Sequence, residues 1–591
     1  GSSSIQSKSW IVGVDAGMTI HSNLQPAGIT RPHRDVYENE HRGELLGTGN
    51  TILSTDTIYT RDPLDREEAL VSTKNVVSDK GEKPKVTYTI AKTAKAAAQI
   101  EDPLDREEAL IAIENELKNV YETHKALKPV EKTNGVKALP SSIFVDRKYV
   151  DGRYLKTKAR LVAGGHRQNK DEFLDIVTST VQHVSVMIIV AIAVFEKRKL
   201  WTLDVVAAYL NTDMETTQGD QMYITIQKEL ADIFVKLYPE YKYLRRTKTG
   251  GLYMQVNKAL YGCIQSAHLW QNQLKAILND LGLDANPYDE CLMTSGTGPG
   301  SVMIAYHSDD LIMSCSNEKI GDAFVKEFGL RIKIKSHKGN EINYLGLHIS
   351  ITPDSALINQ IPYIKSITND IDGIEETLPS DKMFLIYEGD EPLTHDKYVE
   401  YRKRTAQLLF IGRMSRATLS RTISNLCSNA IAPTERHWRA LIHTLKYLKY
   451  TVNLKLELKC TSMDLEVWVD ASFASNKDGK SHTGCIIKLG GAMIWWKSSK
   501  QKIVTKSSTE AEIVGLSDTL SMVVWLDRLL ESLGYRGNIP TVYQDNLGSI
   551  HITSTGLTNN ERTRHINVRD LWTNELKEHK RFTLKYCPTE R

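Results

Sequence analysis

Apolar and polar positions along the 591-residue chain recur with a few simple periods. Residues 302–315, VMIAYHSDDLIMSC, set two largely apolar runs around a polar centre, which predicts a β-hairpin with buried strands and a polar turn. SSIFVDRKYV, LWTLDVV and INYLGLHISI read as strands. The apolar run VMIIVAIAVF at 186–195 is followed by the charged EKRK and is too short to cross a bilayer, so it reads as a buried helix. SAHLWQNQLKAILNDLGL predicts a helix opened by Ser266 and closed by Gly282. From about Asp464 the order becomes strand, strand, strand, long helix, strand, helix, which describes a separate α/β domain. Residues 1–101 show little periodicity and many Thr, Ser, Gly and Lys. DPLDREEAL occurs at 62–70 and again at 102–110, a single duplication rather than the steady period of a solenoid. The prediction is a loosely ordered leader, with folded structure beginning at the amphipathic helix after Asp102.

Composition sharpens the outline in two places. A chain with 25% charged and 41% hydrophobic residues has an ordinary globular balance and room for several domains. Net charge is only +3, yet residues 401–450 carry ten Lys and Arg against the single acid Glu435. That density suits a phosphate backbone, and Arg413 and Arg416 are the residues chosen for that role. Seven cysteines without a CxxC pair point to a reducing compartment and away from a zinc module. No signal peptide is visible, and the opening GSSS reads as a processing edge or an expression scar.

Adjacent acids at a hairpin tip need an explanation. Two carboxylates about 4 Å apart repel by roughly 4 kcal/mol at an effective dielectric near 20. A solvated turn is the simplest reading for Asp309 and Asp310. Asp204 weighs against it, because it ends the strand LWTLDVV before a small-residue turn and so projects from a sheet edge beside the hairpin. Three converging carboxylates call for cations, and two Mg²⁺ about 4 Å apart would clamp the attacking and leaving oxygens of a phosphoryl transfer.

KTKARLVAGGHRQ, LDVVAAYLN, NKALYGCIQSAHLW, HSDDLIM and NYLGLHI, in this order, resemble the reverse transcriptase of copia-type LTR retrotransposons. The basic stretch from Tyr401 resembles the segment C-terminal to the polymerase in that family, and VDASFA, SSKQKIVTKSSTEAE, YQDNLGSI, RTRHINVRD and YCPTE resemble its RNase H domain. The resemblance covers roughly residues 102–591. It implies an α/β and α+β multidomain fold: a right-hand polymerase with fingers and palm over 102–395 and a basic helical thumb or connection over 396–460, then an RNase H-like α/β domain over 461–591. Residues 1–101 would be the leader or the end of an integrase region.

Carried over by motif, Asp204, Asp309 and Asp310 are the polymerase metal ligands, and Asp470, Glu512 and Asp545 those of the RNase H site. Each set would hold two Mg²⁺, with Mn²⁺ as a substitute. Lys158 and Arg160 would lie over the incoming triphosphate, Tyr209 under the sugar as a bar to a ribose 2′-hydroxyl, and Gln265 in the nucleotide pocket. Tyr344, Leu345 and Gly346 would form the primer grip. Ser507 with Glu510 makes a capping box and Thr509 with Glu512 would make the same box one register later; the first is favoured, with Glu512 as the ligand.

The implied activity is RNA- and DNA-templated DNA synthesis with hydrolysis of RNA in hybrids, serving replication of the element. Implied partners are RNA template, DNA primer, RNA–DNA hybrid and dNTPs, together with the integrase and capsid proteins of the same element, and no membrane. The implied location is cytoplasmic, within virus-like particles, with the nucleus after reverse transcription. Two features depart from the family: His307 and Ser308 stand where an aromatic and an aliphatic residue are usual, and a fourth RNase H acid is supplied beyond YCPTE, whereas this sequence stops at Arg591. Asp570 is a substitute for that acid or a simple helix-start charge. The expectation is therefore polymerisation with weak, Mn²⁺-assisted hybrid cleavage. The rival readings are a domesticated, non-catalytic nucleic-acid-binding protein and a polymerase whose RNase H domain is an inactive clamp.

Overall fold

The computed structural model describes residues 85–131, 137–150, 153–169, 177–214, 221–298, 300–385, 389–555 and 567–588. The first copy of DPLDREEAL and most of the expected leader lie outside the described residues. The second copy enters the helix Pro103–Lys118, where Asp102 caps the start by accepting from the Asp105 amide at 2.8 Å.

Structure begins earlier than the expected boundary at 102. The strand Lys85–Ala91 pairs antiparallel with Leu139–Val150, which also pairs with Arg153–Ala163. Ala91, Ala94 and Ala97 belong to the same core as Ile113, Leu117, Ile143 and Leu161. KVTYTIA is a seven-residue strand in a Lys- and Thr-rich setting, too short and too polar for its alternation to stand out. This first core draws most of its residues from the early part of the stretch expected as fingers and palm.

The second sheet has the order Ile334–Lys338, Lys199–Val205, Asp310–Cys315, Val302–His307, Leu292–Thr294 and Asp284–Ala285. Against it lies the helix His183–Phe195, buried from Val184 through Val194, as its unbroken apolar run demands. The helix Ser266–Asp280 ends before Gly282, which sits at φ +81°. Ser266 is not its cap, however: Gln265 holds that position, and the Ser266 hydroxyl donates to the Leu260 carbonyl at 2.6 Å.

A third core is helical. Tyr363, Ile364 and Ile367 join Tyr401, Leu408, Leu441 and Leu445, so this unit recruits the helix Ile361–Thr368 and starts before residue 396. Past it, Leu456–Leu458 returns to complete a four-stranded sheet of Glu341–Tyr344, Leu347–Ile351 and Ala356–Asn359.

The last unit is a five-stranded mixed sheet in the order Ala492–Lys500, His482–Leu489, Leu465–Ser472, Thr541–Gln544, Thr583–Tyr586, with the long helix Ser508–Ser532 packed on it. Its core is continuous with that of the second sheet: Ile304 and Ile312 share one apolar cluster with Val467, Val469, Leu520 and Leu526. Arg198, fully buried, donates to the Tyr535 hydroxyl at 3.0 Å, and Asn286 donates to Ser532 Oγ at 2.7 Å across the same junction.

Candidate functional site

The acidic hairpin forms as its pattern predicts. His307 pairs with Asp310, leaving Ser308 and Asp309 as a two-residue turn. Ser308 lies at φ +58°, the left-handed region that glycine enters without penalty, and the geometry expected of the first central residue in a type II′ turn. Two contacts hold this strained tip: Trp270 Nε1 donates to the Ser308 carbonyl at 3.0 Å, and the Val205 amide donates to the Asp309 carbonyl at 2.9 Å.

Asp204 stands directly opposite Asp310 in the antiparallel ladder, so the two side chains leave the sheet on one face. On its other side Asp204 pairs with Lys335, whose Nζ lies 3.1 Å from Asp204 Oδ2. Both groups are well exposed, and such a pair contributes little. A dication could replace Lys335 there at small cost.

The turn expected as the primer grip packs against the hairpin. Leu345 and Gly346, at φ +48° and +76°, make the turn between paired Tyr344 and Leu347. The buried Tyr344 phenol donates to the Ala305 carbonyl at 3.2 Å, tying this turn to the acidic hairpin. Burial, then the charge of Asp310, raises its pKa well above the ordinary phenol value. A Cβ at Gly346 would come within 3.2 Å of Phe410 on the helix His395–Met414, so glycine lets the third unit approach the turn.

Tyr209 follows Asp204 in a short helical turn, Ala208–Asn211. It touches both the first and second cores and stacks edge-on against Tyr261 with centroids 5.0 Å apart. Lys158 and Arg160 share the outer face of the strand Arg153–Ala163, opposite Asp146 and Phe144. Arg160 is bound to the buried Asp146 at 2.6 Å. Partial desolvation, then the charge of Arg160, holds the Lys158 ammonium below its ordinary value. Lys148, on the same face, is lowered to about 8 by desolvation and by Arg160, Lys158 and Lys156. The cationic face is therefore wider than the two residues singled out from sequence.

Two residues depart from their expected roles. Gln265 is 5% exposed, accepts from Gln168 Nε2 at 3.0 Å and points its own amide at Met214; its amide is engaged by protein partners rather than lining an open pocket. Arg416 is 1% exposed, with both terminal nitrogens on Thr451, and desolvation lowers its pKa to about 10. It lies past the end of its helix, where the chain turns inward, and offers no phosphate contact. Arg413 is half-buried near His183, whose own pKa is lowered to about 4, chiefly by burial.

In the C-terminal sheet the expected trio does converge. Asp470, Glu512 and Asp545 present ligand atoms all within 4.8 Å of one another, the one such group among the described residues. Asp470 is raised to about 6 by desolvation and then by Asp545, and Glu512 to about 9 by desolvation and then by Asp470. An all-carboxylate donor set of this kind fits a hard dication. Glu510 serves the helix start instead: its amide donates to Ser507 Oγ at 3.1 Å, and its carboxylate accepts from the Lys506 amide at 2.7 Å. Asp570 lies in the first turns of the helix Asn567–Glu578, and its side chain is outside the described residues.

Residues 124–378, which contain the hairpin, Asp204 and the Tyr344–Leu347 turn, match the reverse transcriptase (RNA-dependent DNA polymerase) family. The chain is also 29% identical over 437 residues to the retrovirus-related Pol polyprotein from transposon RE1 of Arabidopsis thaliana, covering 72% of this chain and 28% of that one. It is 24% identical over 473 residues to the Pol polyprotein from transposon TNT 1-94 of Nicotiana tabacum, covering 76% and 33%. A transposon Ty1 Gag-Pol polyprotein of Saccharomyces cerevisiae is 25% identical over 456 residues, covering 73% and 24%. Among solved structures, a foamy viral protease-reverse transcriptase in complex with double-stranded DNA aligns over 81% of this chain and 70% of its own, with TM-score 0.48 and 15% identity. The chain thus carries a reverse transcriptase-family region. It is similar to these retrotransposon Pol polyproteins and spans 24–33% of their length.

Proposed function

We propose that this chain is an RNA-directed DNA polymerase with a fused ribonuclease H domain, acting in the replication of a copia-like element. The observation that carries the polymerase reading is the cross-strand pair Asp204 and Asp310, beside Asp309, at the edge of a sheet within the reverse transcriptase-family region. Mg²⁺ held by these acids would supply charge neutralisation for attack of a primer 3′-hydroxyl on the α-phosphate of a dNTP. The protein's own groups do the rest. Lys158, Arg160 and their neighbour Lys148 offset charge on the triphosphate, Tyr209 limits space at the sugar, and the Tyr344 hairpin fixes the height of the acidic turn against the primer. RNA template and DNA primer are the substrates, held mainly through backbone charge.

For the C-terminal domain, the converged carboxylates Asp470, Glu512 and Asp545 support hydrolysis of the RNA strand of a hybrid. Extension of a DNA primer on an RNA template, with Mg²⁺ and dNTPs, tests the first reading, and release of RNA fragments from a hybrid tests the second. Extension lost in Asp309→Asn with cleavage retained, and the reverse in Asp470→Asn, is the expected result.

A further inference from the structure

Alternation along Thr541–Gln544 turns Val542 and Gln544 toward the long helix, and both are buried. An amide in that position needs partners for each of its atoms. Gln544 Nε2 lies 3.1 Å from Glu512 Oε2 and 3.3 Å from the Glu512 main-chain carbonyl, so both N–H bonds are used on this one residue. Its Oε1 lies 2.6 Å from Ser549 Oγ, whose one proton is shared between this oxygen and the Asn546 carbonyl at 2.8 Å, and Ser549 is fully buried. The other Glu512 oxygen, Oε1, accepts from the Ala471 amide at 3.1 Å. Each carboxylate oxygen therefore has one fixed donor, and each keeps a lone pair for the side where Asp470 and Asp545 stand.

We propose that Gln544, oriented by Ser549, is a positioning residue for the metal ligand Glu512. It locks the carboxylate rotamer in which Glu512 meets Asp470 and Asp545. The proposal rests on the hydrolytic reading of this domain. Partners of this kind, one shell out from a ligand, change metal affinity by about 10–100-fold when removed. Gln544→Leu keeps the volume and deletes the donors and the acceptor, while Ser549→Ala deletes only the group that orients the amide.

The test is Mn²⁺ binding, followed by electron paramagnetic resonance, to the full chain with Asp309→Asn and Asp310→Asn removing the hairpin ligands. Thermal unfolding is measured alongside. Gln544→Leu is expected to weaken Mn²⁺ binding about tenfold, and Ser549→Ala by a smaller factor in the same direction, with the unfolding midpoint little changed. In the chain without the hairpin substitutions, the Mg²⁺ concentration for half-maximal hybrid cleavage should rise for both variants, and primer extension should not change. Should Gln544→Leu fail to fold, the Ser549→Ala measurement decides the matter alone. Parent-like binding in both variants, with binding weakened by Asp470→Asn, overturns the positioning role and leaves the metal site standing. Binding unmoved even by Asp470→Asn overturns the metal site and the positioning role with it.

Discussion

At the hairpin, Asp204 and Asp310 sit on facing strands with their carboxylates at the surface and Lys335 as the neighbour of one of them. In the C-terminal sheet, Asp470, Glu512 and Asp545 bring their ligand atoms within 4.8 Å and bury Glu512 under two donated hydrogen bonds. The first arrangement leaves part of the work to the substrate, whose phosphate oxygens would complete the coordination of an entering dication. The second draws its coordination from three of the protein's own acids, at the expense of repulsion among them. An open site suits a polymerase that must admit a new triphosphate at every step, and a closed one suits hydrolysis of a backbone that slides past.

The largest separation between the two sites should appear in activity. Asp309→Asn should lower primer extension at least about 10³-fold, since it removes several kcal/mol of metal-borne stabilisation, and should leave template–primer affinity nearly unchanged in a filter-binding assay. Extension at the parent rate would mean that this hairpin is a solvated turn.

Next in size is the effect of Arg416→Ala. Lost packing and lost bonds to Thr451 should reduce unfolding free energy by about 2 kcal/mol in chemical denaturation. The slope of log affinity against log salt for duplex should stay the same, because the guanidinium is buried. A flatter slope would restore the phosphate-contact role.

The pH dependence of cation binding sharpens the contrast further. Glu512 and Asp470 are raised to about 9 and about 6, so a cation must displace protons below those values. Mn²⁺ affinity at this site should climb about tenfold or more between pH 6 and 9 and level off above.

The smallest effect expected is on stability without metal. A carboxyl raised in the folded state holds a proton that the unfolded chain has lost, so stability falls as pH rises from about 4 through the folded value. Asp470→Asn should therefore raise the stability of the metal-free chain at pH 8 by on the order of 1 kcal/mol, even as it abolishes hybrid cleavage.

Sequence disclosed the two sites unevenly for physical reasons. The hairpin was legible because two apolar runs around a polar centre specify both the fold and the position of Asp309 and Asp310. Glu512 could be separated from Glu510 because residues two apart on a helix face different ways and Ser507 accounts for the nearer one. Charge density in residues 401–450 says nothing about direction, so a buried Arg416 looks like an exposed one. Gln544 is easily missed because YQDN draws attention to its aspartate, although a polar residue on the inward parity of a strand is itself a signal. Lys148 is hidden in the same way, since only cross-strand register places it beside Lys158 and Lys156.

Primer extension on an RNA template by the 591-residue chain tests the central claim most directly. With Mg²⁺ and dNTPs the primer should lengthen to the template end, and the same reaction with Asp309→Asn should show none. A chain that binds the template–primer tightly yet adds no nucleotide in either Mg²⁺ or Mn²⁺ would contradict the polymerase assignment and leave a nucleic-acid-binding protein on a polymerase fold.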